Sequence, residues 1–271
     1  MVKLSYIHSK DSAYNIERSL SLIKTEVTKS IKNKSRVVVM VDIPRPSSKQ
    51  VIEASVLEAL LNFLTPHVKG QITVTGQAEK GKTLDIFKDL GYLKFQDQYD
   101  FAASDLNEEE QVLIKAGENE LSVPKILHES DFIVLLATPK ITDGKFAGAL
   151  ANLIPAESSH APSFLERIFG AKEHNSNLSS PELIVETFKQ YKVSLSVIDG
   201  HRTVVSSSGN EDILPTNFAI SSINTVEADV LTAMCLGIQP EDVDYLSLFD
   251  PDLGTVFVVG DDWNKYSLSQ Q

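Results

Sequence analysis

The chain has 271 residues, 42% of them hydrophobic and 23% charged, the proportions of a folded globular protein rather than a disordered one. Its 37 acidic against 25 basic residues leave a net charge of −12; with no basic stripe in the sequence, nucleic acid is not an expected partner. A single cysteine, Cys235, excludes an internal disulfide, a cysteine-rich zinc site and a cysteine-held iron–sulfur cluster.

The opening "MVKLSYIHSKD" has no signal-peptide core, and the longest apolar runs are strand-sized, so a cytosolic protein without a membrane span is expected. "VKLSYI" alternates as a strand. In "DSAYNIERSLSLIKTEVTKSI" the residues Ile16, Leu20, Ile23, Val27 and Ile31 recur at helical spacing, which predicts one amphipathic helix capped by Asp11 or Ser12. "RVVVMVDI" reads as a buried strand, "QVIEASVLEALLNFLTPH" as a helix and "QITVT" as the next strand. There follow a helix at "LDIFKDLGY", a strand near "VLIKA", a short helix at "VPKILHES" and a strand at "DFIVLLATPK". "FAGALANLI" reads as a helix, and the polar "GAKEHNSNLSS" as a linker or loop. Helix "PELIVETFKQY", strand "VSLSVIDG", a loop, helix "VEADVLTAMCLG" and strand "TVFVVG" complete the chain.

Apolar strands alternating with helices predict an α/β fold: a largely parallel or mixed sheet with helices on both faces. The division expected is an N-terminal lobe at 1–170, a linker at 171–180 and a C-terminal lobe at 181–271 that completes the same domain.

"GQAEKGKT", Gly76 to Thr83, matches the phosphate-loop pattern, in which backbone amides cradle phosphates while Lys and Thr serve phosphate and magnesium. Asp42 or Asp199, each ending a strand, would supply the metal acid. Against this stand Glu79, an anion in a loop meant for anions, and a following helix that meets Gly91 within about two turns. A nucleotide triphosphatase is therefore an alternative and not the first reading.

The ordered series "GKT…LGY", "VPKILHESDFIVLLATPK", "FAGALANLI", "VSLSVIDG" and "VEADVLTAMCLG" resembles the family named domain of unknown function 362, from about "RVVVMVDI" to "DVDYLSL". Some members of that family carry ferredoxin-type iron–sulfur modules, but this chain has neither the module nor its cysteines. The family's Pro-Lys-x-Lys-Thr-His segment reads "PKITDG" here, keeping Pro139 and Lys140 while Thr142, Asp143 and Gly144 stand in place of the Lys, Thr and His. Its Gly-Ala-Leu-Lys-Asn reads "GALAN", keeping Asn152 with Ala151 where a lysine is usual. Asp199, Gly200 and the helix acid Asp229 match.

Ligands of open α/β sheets sit beyond the carboxyl ends of the strands. Lys140, after "FIVLLATP", and Asp199, ending "VSLSVID", are placed to face one crevice, with Asn152 beside them and His201 two residues beyond Asp199. The first reading is a crevice of Lys140, Asn152, Asp199 and His201 that holds a small anionic ligand. The second is a non-catalytic accessory or scaffold subunit whose site has decayed, with a protein partner or a second copy. His160 lies in a polar loop, and no histidine pair has metal-ligand spacing, so no metal site is expected.

Overall fold

A computed structural model describes residues 3–44, 48, 51–116, 119–153, 180–207, 210–249 and 257–268. The expected linker, save Ser180, and His160 lie outside the described residues.

Twelve strands are described: β1 (Lys3–His8), β2 (Val37–Val41), β3 (Ile72–Gly76), β4 (Phe101–Asp105), β5 (Gln111–Ala116), β6 (Asn119–Pro124), β7 (Phe132–Ala137), β8 (Lys140–Thr142), β9 (Lys145–Ala147), β10 (Val193–Ser207), β11 (Asn210–Ser222) and β12 (Phe257–Gly260). Ten of them form one mixed sheet in the order β12-β1-β11-β10-β7-β2-β3-β4, with β8 and β9 extending it alongside β10; β5 and β6 make a separate hairpin. The α/β expectation is met. Strand β10, from the C-terminal segment, pairs with β7 from the N-terminal one, so both build the same sheet.

The centre of the sheet is parallel: β2 pairs in parallel with β3 and β7, β3 with β4, and β7 with β10. The two central strands, β2 and β7, are apolar throughout because both faces are covered. Along β7 the side chains alternate: Phe132, Val134 and Leu136 join one core with Ile16, Leu20 and Leu60, whereas Ile133, Leu135 and Ala137 join another with Ala228 and Leu231. The first core is roofed by helices α1 (Ser12–Leu22), α2 (Lys24–Ile31) and α3 (Ala54–Leu64), the second by the helix Thr225–Cys235. In α3 alone Val56, Leu57, Leu60, Leu61 and Leu64 are fully buried, each contributing about 1.5–3 kcal/mol of hydrophobic stabilisation.

Three local expectations are corrected. The single helix expected after β1 is two, because Ile23 leaves helical geometry at ψ 16° between α1 and α2. The apolar stripe survives the break, since Ile23, Val27 and Ile31 all stay buried. Asp11 caps α1, accepting the Tyr14 amide at 3.0 Å. The loop expected after "VSLSVIDG" is instead the far half of β10 and the start of β11, a long hairpin with a register shift between Gly200 and Arg202. "FAGALANLI" opens with β9 and continues as a 3-10 turn, Leu150–Leu153, rather than an α-helix.

Counted along the chain, the parallel core runs third, second, first, fourth, fifth from β4 to β10. The winding therefore reverses between β2 and β7, and the carboxyl ends of these two strands flank the crevice where doubly wound sheets hold ligands.

Candidate functional site

Strand β2 delivers Asp42 to that reversal point, and β7 delivers Thr138 and then Lys140. The Asp42 amide donates to Leu136 O at 2.9 Å, which fixes its backbone at the edge of the sheet. Its carboxylate, 8% exposed, accepts the Thr138 hydroxyl at 2.7 Å and lies 2.7 Å from the Lys140 ammonium, itself 31% exposed. A nearly buried carboxylate needs such partners, because leaving it unpaired would cost several kcal/mol. Lys140 thus meets the crevice with its charge already matched by Asp42.

Asp199 lies one strand further along. In register, Ile198 is opposite Ala137, so Asp199 sits level with Thr138 at the end of β7. It is 5% exposed. Its Oδ1 accepts the Ser12 hydroxyl at 2.7 Å and the His201 amide at 3.1 Å. Its Oδ2 accepts no hydrogen bond from the described residues. Burial pushes the Asp199 carboxyl above the usual range, opposed by the bonds from Ser12 and His201. The His201 ring is half-buried, and its Nδ1 is buried with no partner among the described residues.

Val51, Glu53, Thr138, Asp199, His201 and Arg202 enclose a small cavity of about 10 Å³, room for roughly one water. Arg202 Nη2 stands 3.6 Å from Glu53 Oε1, joining β10 to the segment that enters α3. Ligand pockets usually hold roughly 300 Å³ or more, so this crevice is closed as it stands. Lys140 is not among its walls.

Asn152 is placed elsewhere. It donates to Gly148 O at 3.3 Å, and its neighbours Ala149, Leu150 and Leu153 belong to the core beneath the helix Thr225–Cys235, on the sheet face opposite Ile16 and Leu60. There Asp229, fully buried, accepts the Ala149 amide at 2.7 Å, the Leu150 amide at 3.0 Å and the Tyr245 hydroxyl at 2.9 Å. Tyr245 in turn accepts the Gly148 amide at 3.2 Å. A Cβ on Gly148 would collide with the Asp229 carboxylate, so only glycine fits. Burial raises the Asp229 carboxyl to about 6 despite these bonds. This cluster ties a turn to a helix and has no open position for a ligand.

The segment Gly76–Thr83 ends β3, one strand away from the reversal point. The Thr83 amide and hydroxyl both donate to Asp105, each at 2.8 Å, and the Ala78 amide donates to Thr83 Oγ1 at 3.1 Å. The groups that a phosphate and magnesium would need are thus bonded to a carboxylate from β4. Lys82 is 69% exposed and among the described residues pairs with Glu108 alone, at 3.5 Å, and α4 (Thr83–Asp89) is short. Gly81, at φ +79°, makes the turn and lines nothing.

Sequence reading placed Lys140, Asp199 and His201 at this edge but missed Thr138, Glu53, Arg202 and Ser12, and took Asp42 only as a metal acid. The signal for Asp42 and Thr138 was a polar residue directly after a five- or six-residue apolar strand. Ser12 gave no signal, standing 187 residues from the carboxylate it serves. Among the described residues no group of three His, Cys, Asp or Glu is placed to hold a metal, and no helix is long and apolar enough to cross a membrane.

The sequence model of the family described as Domain of unknown function (DUF362) matches residues 37–234, which span β2 to the helix Thr225–Cys235 and contain Asp42, Lys140, Asp199 and His201. The chain belongs to that family. No curated protein matches it.

Proposed function

We propose that this member of the family binds a small anionic ligand in the crevice at the ends of β2, β7 and β10. The observation that carries the reading is an asymmetry of bonding at the reversal point: His201 Nδ1 is buried with no partner among the described residues, and beside it Asp199 takes both of its described hydrogen bonds on Oδ1. Buried polar atoms without protein partners are matched by water or ligand. Lys140 would hold the anion in exchange for its contact with Asp42, and Asp199 in its protonated form would donate to it. Entry requires the Glu53–Arg202 contact to part, since the enclosed space now fits about one water. Under this reading the protein works in the cytosol without nucleic acid.

A second reading, an accessory or scaffold subunit with a decayed site, is favoured by that small volume and by the neutralised Lys140. Thermal denaturation with succinate, inorganic phosphate and small phosphate esters separates the two. A ligand of the folded state at a hundredfold excess over its Kd should add about 2.7 kcal/mol of stability, and Lys140→Met should abolish the gain. Absence of stabilisation by every anion, or stabilisation that Lys140→Met leaves intact, decides for the scaffold.

A further inference from the structure

A second cleft opens at the same edge of the sheet. Strand β1 pairs antiparallel with β11, and β11 antiparallel with β10, so β1 runs with the parallel core and ends beside it. His8 and Gly200 are both opposite Phe218, which places the end of β1 two strands from Asp199. The parallel partner β12 ends there too, at Gly260. Between these strand ends and the outer side of α1 lies a cleft of about 430 Å³, within the usual range for small-molecule sites.

Its walls carry one charge of each sign. Arg18, on the exposed side of α1, has no ion pair or hydrogen bond among the described residues. Asp261 accepts the His8 amide on Oδ2 at 2.8 Å, while its Oδ1 accepts nothing from them. The two charges share the cleft without touching each other. The remaining wall is mixed: Ile7, Leu22, the polar Ser9, the half-exposed Tyr14 ring, and the His8 ring held face to face against Tyr266 at 3.8 Å and 7°.

We infer that this cleft binds a small zwitterion of the amino-acid type, with its carboxylate on Arg18, its ammonium on Asp261 and an apolar body against Leu22 and Tyr14. A guanidinium takes a carboxylate through two parallel bonds, which a flexible ammonium does not match. A plain anion would leave Asp261 facing like charge, and a plain amine would do the same to Arg18. A ligand carrying both charges satisfies both walls. This site is independent of the crevice at Lys140.

The test uses L-phenylalanine as the probe, with phenylacetate and phenethylamine as analogues that each lack one charge. The one tryptophan, Trp263, belongs to the short helix Trp263–Tyr266 that carries Tyr266, so its fluorescence reports on the cleft; calorimetry serves as the second readout. Phenylalanine should titrate to saturation, and both analogues should bind at least about tenfold more weakly. Arg18→Met and Asp261→Asn should each weaken phenylalanine about tenfold or more, while Lys140→Met leaves it unchanged. Both altered side chains are exposed, and the analogue comparison on the unaltered protein decides alone if a variant fails to fold. No saturation, analogues as tight as phenylalanine, or indifference to both variants overturns the proposal.

Discussion

Two buried aspartates, Asp199 and Asp229, invite comparison. Each is almost wholly buried, and burial raises the carboxyl of both. Asp229 is saturated, with two amides and a phenol shared over its two oxygens. Asp199 takes both its bonds on one oxygen and leaves the other open toward a cavity, beside an unpaired imidazole nitrogen. The first is how a fold holds a turn against a helix; the second leaves an acceptor free, as the proposed ligand site requires. Burial and residue type are the same, so the count of unmatched lone pairs makes the distinction.

The strongest way to break that contrast is Asp229→Ala. It orphans the Ala149 and Leu150 amides and the Tyr245 hydroxyl in the core, and should cost about 4 kcal/mol by urea denaturation. A loss below about 1 kcal/mol would show that the cluster is not a structural anchor.

Next in size is a dependence on pH. Asp229 has its folded pKa raised, from 3.8 to about 6. The folded state therefore binds the proton more tightly than the unfolded one, and this contribution is fully present below pH 3.8 and lost as pH rises through about 6. Between these limits the stability of wild type relative to Asp229→Asn should fall by about 2–3 kcal/mol, since each tenfold difference in proton affinity is worth roughly 1.4 kcal/mol. A relative stability that is flat or rising across this interval removes the assignment. Asp199 is displaced in the same direction, so Asp229→Asn is needed to isolate the larger cluster.

Asp199→Asn sharpens the comparison from the other side. The amide still accepts from Ser12 and His201 on one atom and gives up a buried charge that burial opposes, so stability at pH 7 should stay within about 1 kcal/mol of wild type. A loss as large as that of Asp229→Ala would make Asp199 an architectural residue and empty the crevice proposal of its central acid. The smallest effect is expected for Lys82→Ala, whose exposed ion pair contributes less than about 0.5 kcal/mol and whose loss should leave the response to magnesium-ATP unchanged. Magnesium-dependent ATP binding that disappears in this variant would restore the nucleotide reading.

The centre of the parallel core could be read from the sequence because β2 and β7 are apolar from end to end: "VVVMV" and "FIVLLA" are short apolar runs that suit a doubly covered sheet. The long hairpin could not. "HRTVVSS" carries no apolar run, although Thr203 and Val204 are buried, so its strand character shows in the pairing with β8 and β11 and not in the sequence pattern. The crevice was half visible for a similar reason. Lys140 and Asp199 announce themselves by following apolar strands, whereas Ser12 and Glu53 belong to helix entrances whose position over the strand ends is decided by α1 and α3 packing on one face. Asn152 misled because a helix at "FAGALANLI" leaving the Lys140 strand would have lined the same crevice; the 3-10 turn and the anchor at Asp229 carry it to the other face.

The pairing of β1 has a consequence for how the chain is made. Ser5 donates to Ser221, 216 residues later, and the strand on its other side, β12, is later still. A ribosome adding roughly 5–20 residues per second takes on the order of ten to forty seconds to deliver those partners. Throughout that interval β1 lacks both neighbours, and α1 lacks β10 and β11, two of the strands its apolar stripe covers. The N-terminal segment is thus synthesised first and docked last. It is the stretch for which a nascent-chain chaperone has the longest opportunity.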